Sequence, residues 1–223
     1  MPREIMIPFR PQLDDEVATF VRESIMSGHL RPGEFIRINK LAEELGISST
    51  PVRQALVTLR GEGFARLEPR RGFIVADLSE DDILDMYKVQ AYVAGELAGH
   101  AALCIDEGRL AHLEDISKWA TESELVGDED KAENFAHEFH EILTDSANRP
   151  KLQWLLKLSG RYEPRSLYSD LPGWRHAMDR EHREILDAMK RRDALTAREA
   201  MSRHVLHLGE LVAANFREAT SSK

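Results

Sequence analysis

The sequence is poor in cysteine and contains no long apolar run. Cys104 is the single cysteine among 223 residues, which excludes an internal disulfide framework and a cysteine-based zinc site. We expect it to be a small apolar core residue on a helix. No stretch approaches the ~20 apolar residues of a membrane span, and residues 1–10 lack the apolar core of a signal peptide. These absences predict a soluble, cytoplasmic protein with no membrane partner.

The segment from Leu41 to Arg53 is the most informative part of the chain, because it predicts two short helices joined by a tight turn. Asn39 is a candidate N-cap for the first helix, and Gly46 is expected to end that helix in a left-handed conformation. Thr50, which precedes a proline, is expected to cap a second helix that runs to about Glu62. This pattern is typical of a helix-turn-helix, whose second helix enters the major groove of DNA.

A two-stranded wing is predicted directly after the second helix. Residues 64–67 and 73–75 alternate or run apolar like short strands, and the turn between them holds Arg70 and Arg71. The alternative is an ordinary helical hairpin whose arginines are solvated. The wing and the helices before it favour a winged helix-turn-helix.

The residues predicted to bind DNA lie at the start of the second helix and at the tip of the wing. Short side chains at a helix N-terminus can hold phosphate, and arginine can form a bidentate contact with guanine. The predicted set is Asn39, Ser48, Ser49, Thr50, Arg53, Arg70, Arg71 and Gly72.

The charge is informative only when the chain is divided. Of the net charge of −9, residues 1–76 carry +1 and residues 77–223 carry −10. The first part must therefore attract DNA through arginines clustered on one face and not through bulk charge. These arginines are Arg53, Arg66, Arg70 and Arg71.

Residues 25–72 closely resemble part of the amino-terminal domain of the GntR family of bacterial transcription regulators. The matching motifs include Leu30-Arg-Pro-Gly33, Gly46-Ile-Ser and Thr50-Pro-Val-Arg53. The resemblance implies a transcription regulator, most often a repressor. Ser49 departs from the family, which commonly carries arginine there, so one usual DNA contact is absent.

The remaining residues are predicted to be helical throughout. Ser79 and Asp82 resemble a capping box that opens a helix to about residue 103. Further helices are expected at about 106–126, 130–147, 151–168, 173–190 and 194–218. We therefore predict a mainly α protein: a winged helix-turn-helix domain over residues 1–76, then an all-α antiparallel bundle over residues 77–223.

Three helices of the predicted bundle each turn one histidine towards the core: His140, His182 and His204. A single inward histidine is usually a core residue satisfied by a hydrogen bond. Burying three is costly unless they share a partner, and a divalent transition metal, zinc or nickel in particular, would satisfy all three with neutral nitrogens. A shared metal is the favoured interpretation.

The bundle resembles the helical effector domain of the FadR-like branch of the family, called FCD. The resemblance rests on Phe139-His140, Ala147-Asn148, Glu181-His182-Arg183, and Asp193 through to His204. It implies that the three histidines bind a metal whose coordination is completed by a small organic acid effector. The fourth ligand of the family, Asp or Asn, would fall at Ala136, and His137 is only a reserve ligand.

Effector contacts are predicted on the first bundle helix and on nearby arginines. Gln90 lies in an apolar stripe where many relatives place an arginine that binds the effector carboxylate. The predicted effector-binding residues are Tyr87, Gln90, Arg161 and Arg165, with Tyr92 and Arg175 as further candidates.

Dimerisation follows from the expected mode of DNA reading. One recognition helix covers only a few base pairs, so a homodimer on a palindromic operator is the usual route to specificity. The bundle is expected to hold the dimer.

Two other functions are compatible with the sequence. A three-histidine metalloenzyme would need a general base; Glu181 adjoins His182 but is expected to lie around the helix from it. The bundle could also be a dimerisation unit without metal or effector. The metal-containing regulator is the interpretation that we adopt.

Overall fold

A computed structural model describes residues 13–162 and 174–221. The chain divides into two compact units between Leu78 and Ser79. The first unit is a winged helix-turn-helix and the second is built from helices, so the predicted fold class is confirmed. Among the described helices, none is both long enough and apolar enough to cross a membrane.

The first unit combines three helices with a small sheet. Its elements are α1 Leu13–Met26, β1 Phe35–Ile36, α2 Ile38–Glu44, α3 Ser49–Glu62, β2 Ala65–Glu68 and β3 Gly72–Val75. The strands lie in the order β1-β3-β2 and both pairings are antiparallel. Strand β1 was not predicted, because two residues carry no periodic signal and depend on pairing with β3. The apolar face of α3 is buried through Val52, Ala55, Leu56 and Leu59.

Both predicted helix N-caps in this unit were wrong by two residues. The pairing of β1 holds the chain extended through Arg37, which is the N-cap of α2, so Asn39 lies inside the first turn. Helix α3 begins at Ser49, and no side chain caps it. Gly46 does adopt the expected left-handed conformation, with φ of +67°.

The second unit contains six α-helices in its described residues. They are α4 Glu80–Cys104, α5 Glu107–Leu125, α6 Glu129–Ser146, α7 Pro150–Ser159, α8 Trp174–Lys190 and α9 Ala194–Ser221. The predicted capping box at the start of α4 is present in full, between Ser79 and Asp82.

Helix α7 ends earlier than predicted. It stops at Ser159 and continues as one 3-10 turn over Gly160–Tyr162. The carbonyl of Ser159 accepts a 2.6 Å hydrogen bond from Gln90 Nε2 of α4. A terminal carbonyl of α7 is therefore satisfied by a side chain, which suits a helix end. The rest of the predicted helix, residues 163–168, lies outside the described residues.

Cys104 was expected in the core, but it is exposed. It is the last residue of α4, where Leu103 is also exposed while Ala101 and Ala102 are buried. The apolar stripe thus passes to the other side of the helix at this end. Composition alone does not show which side of a helix terminus faces the core.

Helices α4 and α9 approach each other closely at glycines. A Cβ atom on Gly95 would lie 2.9 Å from the carbonyl oxygen of Arg198, and one on Gly209 would lie 2.5 Å from Cβ of Tyr87. Tyr87 is fully buried, so its ring cannot swing into solvent. The lack of a side chain at Gly209 therefore allows Tyr87 to pack against the backbone of α9.

We predict that Gly209→Ala destabilises the bundle by ~1 to 3 kcal/mol, because the new methyl group overlaps Cβ of the buried Tyr87 side chain. The matched control is Gly61→Ala in α3, where an added Cβ meets nothing within 4 Å. That control should stabilise its unit by up to ~1 kcal/mol through helix propensity. Urea denaturation followed by circular dichroism measures both. A Gly209→Ala protein as stable as the wild type would refute the close approach.

Candidate metal centre and nucleic-acid interface

Three histidine side chains from three helices meet inside the bundle. His140 comes from α6, His182 from α8 and His204 from α9. Nε2 of His140 lies 3.1 Å from Nε2 of His182 and 3.3 Å from Nε2 of His204. One ligand atom from each of the three lies within 4.8 Å of the others. The structure thus brings together the three histidines that the sequence singled out.

Packing fixes the orientation of these rings. Phe139, which is buried beside His140 on α6, stacks on the ring of His182 with centroids 4.5 Å apart and an interplanar angle of 11°. The rings of His140 and His204 stack with centroids 5.1 Å apart. Because the rings are wedged against one another and against Phe139, the nitrogens have little freedom to turn away.

The donor set fits a tetrahedral transition metal. Metal–nitrogen bonds of 2.0–2.1 Å place two ligand nitrogens about 3.3 Å apart at a tetrahedral angle. The two measured separations, 3.1 and 3.3 Å, lie close to that distance. Nε2 of His140 has only one in-plane site for a proton or a lone pair, so it cannot form good hydrogen bonds with both neighbours at once. A shared metal would satisfy all three nitrogens.

The electrostatics favour neutral ligands. Burial lowers the pKa of His140 well below its usual value of 6.5, and the charges of His204 and His137 lower it further. Burial likewise lowers the pKa of His182, followed by the effects of His204 and His140. Neutral imidazole is the form that binds a metal. These two histidines are therefore ready to bind without first losing a proton.

A carboxylate that the sequence reasoning set aside lies directly behind one of these histidines. Glu181 Oε2 accepts a hydrogen bond from Nδ1 of His204 at 3.0 Å, and its Oε1 accepts one from Nδ1 of His207 at 2.9 Å. Glu181 was expected to lie around α8 from His182 and so away from the predicted ligands, but it contacts one of them, His204 of α9. The spacing of His204 and His207, three residues apart on one helix face, is the signal that could have revealed the contact.

Burial acts to raise the pKa of Glu181. The hydrogen bonds and charges of His204 and His207 outweigh that effect, so the pKa lies below its usual value of 4.5. Glu181 therefore remains a carboxylate at neutral pH.

The position at which the family resemblance implied a fourth ligand supplies no donor atom. Ala136 is buried in α6, one turn before His140. His137 is half-buried and is not one of the three converging histidines. Coordination by this chain thus rests on three nitrogens in the described residues.

The predicted effector residues divide into buried and exposed ones. Tyr87 and Gln90 are buried on α4, and the amide nitrogen of Gln90 is held by the carbonyl of Ser159. Arg161 is exposed, and so is Tyr92, with 69% of its surface accessible. Arg165 lies outside the described residues, as does the side chain of Arg175.

In the first unit, α3 presents a continuous polar face opposite its buried one. Thr50 and Arg53 are exposed there as expected. Gln54 and Val57 are also exposed, and together with Thr50 they follow the i, i+4, i+7 spacing of one helix face. The sequence reasoning missed these two because it considered only the first turn of the helix. Ser48, Ser49 and Asn39 are likewise exposed.

The wing carries its arginines in two different settings. Arg70 is exposed at the tip, with a positive φ of 65°. The guanidinium of Arg71 lies 5.1 Å from the centre of the Phe35 ring, a cation–π distance. Gly72 begins β3 with a φ of +103°. Arg66, expected to join the basic cluster, instead forms ion pairs with Glu68 and Asp77, both at 3.3 Å.

Two domain families match this chain. Residues 13–75 match the family described as bacterial regulatory proteins, gntR family, and residues 85–207 match the FCD domain. The HTH-type transcriptional regulator YdhC of Bacillus subtilis is 29% identical over 192 residues, which cover 83% of each protein. The gluconate operon transcriptional repressor of Bacillus licheniformis is 40% identical over 74 residues, which cover 33% of this chain and 30% of that one.

A solved structure shares the fold. The Escherichia coli protein McbR/YncC superposes with a TM-score of 0.67 at 21% identity, covering 96% of this chain and 99% of that one. The matching families and relatives are transcription regulators and not enzymes, which removes the metalloenzyme alternative. The chain belongs to the GntR family of bacterial DNA-binding transcription regulators and carries an FCD domain.

Proposed function

We propose that this regulator is a cytoplasmic repressor whose bundle binds a divalent metal together with a small organic acid. The observation that carries the proposal is the convergence of His140, His182 and His204 at one point. When bound, the metal would offer an open coordination position to a carboxylate. One relative is a repressor of a gluconate operon, and gluconate is an organic acid.

In the proposed site, residues of α4 and α9 position the effector and exclude water from it. Gln90 and Tyr87 line the buried side of α4, while His204 lies on α9, which packs along α4. Helix α4 begins only a few residues after the wing strand β3. A displacement of α9 relative to α4 can therefore be transmitted through this short connection to the DNA-binding unit. The proposed mechanism is a population shift, in which the effector favours one of two arrangements of the two DNA-binding units of a dimer.

Metal binding is tested on protein purified without a histidine tag. We expect one equivalent of zinc or nickel per chain, and we expect His182→Ala to abolish uptake because it removes one of three ligands. His112→Ala is the matched control, since His112 is exposed and paired with Glu138 on the surface. Elemental analysis and titration at neutral pH measure uptake. A wild-type protein that takes up no metal would leave the three histidines as core residues.

DNA reading is proposed to centre on the exposed face of α3. Arg53 can form a bidentate contact with guanine, Gln54 can do so with adenine, and Val57 can contact the methyl group of thymine. The amino terminus of α3 and the Arg70 side chain at the wing tip would hold phosphates.

We predict that Arg53→Ala weakens operator binding by ~1 to 3 kcal/mol, and that Gln54→Ala relaxes the preference for adenine at one position. Arg70→Ala should instead weaken binding to all sequences and reduce its salt dependence. Arg191→Ala in the bundle removes the same charge and serves as the control. Gel-shift titration measures the operator affinity of each variant, and selection from random DNA measures its base preference. An Arg53→Ala protein with unchanged operator affinity would exclude α3 as the reading helix.

The bundle is proposed to form the homodimer that places two reading heads on a palindrome. Large exposed apolar side chains collect on α4 and α7, which pack against each other. They are Val89, Tyr92, Trp154, Leu155 and Leu158. Apolar surface that is shared by two adjacent helices suits a contact between copies.

Tyr92→Glu and Trp154→Glu should convert the dimer to a monomer, because each buries a charge in the proposed interface. Val126→Glu is the control: Val126 is 80% exposed but lies at the end of α5, away from these two helices in the chain. Light scattering at micromolar concentration reports the mass. A monomeric wild-type protein with tight operator binding would contradict the proposal.

A further inference from the structure

We propose that Glu181 is the positioning residue of the metal site: its carboxylate fixes the ring of His204 and supplies the negative charge that Ala136 cannot provide. The inference rests on the proposed metal function. It assigns a role to a residue that provides no metal-ligating atom in the cluster of three histidines. Three observations carry it, namely the two hydrogen bonds of Glu181, its low exposure of 14%, and the side chain at position 136.

The first step concerns the proton on His204. Glu181 Oε2 lies 3.0 Å from Nδ1 of His204, and a carboxylate can only accept, so Nδ1 must carry the hydrogen. In the neutral ring Nε2 is then bare, and Nε2 is the atom that faces His140 at 3.3 Å. The His204 side chain is only 2% exposed, so water cannot easily replace the carboxylate as the partner of Nδ1. Glu181 thus selects the tautomer that can bind a metal.

The second step concerns charge. Three neutral imidazoles leave the full positive charge of a divalent ion inside the bundle, and Ala136 offers no donor to offset it. The Glu181 side chain is 14% exposed, so its charge is only weakly screened by solvent. A carboxylate hydrogen-bonded to the far nitrogen of a ligand raises the basicity of that ligand. The negative charge of Glu181 is thus linked to the proposed metal position through the His204 ring.

The third step concerns the second oxygen. Oε1 accepts a 2.9 Å hydrogen bond from His207, whose side chain is 34% exposed at the edge of the bundle. His204 and His207 lie on the same face of α9 and bind one oxygen each. With both oxygens held, the carboxylate cannot rotate away from His204. The Arg180 guanidinium, 3.7 Å from Oε1, is the other charged group beside Glu181 in the described residues.

The test measures zinc affinity of the full-length protein by competition with a chromophoric chelator. Glu181→Ala should weaken binding about 10- to 100-fold, the range found when such partners of metal ligands are removed. Glu181→Gln keeps the shape and an acceptor oxygen but removes the charge, so it should fall between the wild type and Glu181→Ala. Glu184→Gln is the control, because Glu184 lies one turn further along α8 and is paired with Arg203 on the surface.

Adding Ala136→Asp to Glu181→Gln separates the two contributions of Glu181. Restored affinity supports the charge step, since the new carboxylate lies one helical turn before His140. Failure to restore affinity in a folded double variant would refute that step.

The tautomer of His204 gives a readout that a merely structural role would not change. In metal-free protein labelled with 15N-histidine, the His204 signals should report hydrogen on Nδ1 in the wild type and in Glu184→Gln. Glu181→Ala should lose that signature while its circular dichroism spectrum stays unchanged. An unchanged tautomer would overturn the positioning step.

The two proposals fail in different ways. If the wild type binds no zinc, the proposed metal function is wrong, and the tautomer still decides whether Glu181 orients His204. If the wild type binds zinc and the Glu181 variants bind it equally well, the metal function stands and the role of Glu181 is refuted.

Discussion

The arrangement of the bundle depends on the need to satisfy three imidazoles at one point, those of His182 and His204 buried and that of His140 half-buried. Each ring exposes Nε2 to the same small volume, so α6, α8 and α9 must meet at a fixed depth and rotation. An uncompensated polar group there would cost several kcal/mol, which gives the site influence over the packing of all three helices. The stacking of Phe139 on His182 shows the same constraint acting on the apolar neighbours.

The glycines at the contact between α4 and α9 determine how a displacement of the histidines can be transmitted from one helix to the other. Backbone atoms of α9 lie against α4 near Gly95 and Gly99, and Tyr87 lies against Gly209. Because the two helices approach closely and Tyr87 is buried, a movement of His204 along or around the axis of α9 is passed on to α4. His204 and the helix that follows the wing are therefore mechanically coupled through the contact between α4 and α9, although nothing in the sequence places them together.

Sequence periodicity predicted the fold and the three histidines because both follow from which face of a helix is apolar. His140, His182 and His204 each lie on such a stripe. Periodicity does not predict contacts made by residues beside the apolar face of a helix. Glu181 contacts α9 only because of how α8 and α9 pack. Strand β1 was missed for the same reason, since its two residues become a strand only by pairing with β3. Cys104 was misplaced because the α4 stripe ends before its last residue.

The weak charge of the first unit is a reason for the proposed homodimer to bind DNA through both copies. Residues 1–76 carry a net charge of only +1, Arg66 is neutralised by two acidic partners, and Arg71 lies against Phe35. The salt-dependent attraction to phosphates is consequently small, and short-range contacts by α3 must supply a larger share of the affinity. A single head with so little general attraction dissociates readily. In the proposed dimer, affinity would then depend on both DNA-binding units binding together, and a modest change in their spacing, produced in the bundle, would be enough to release the operator.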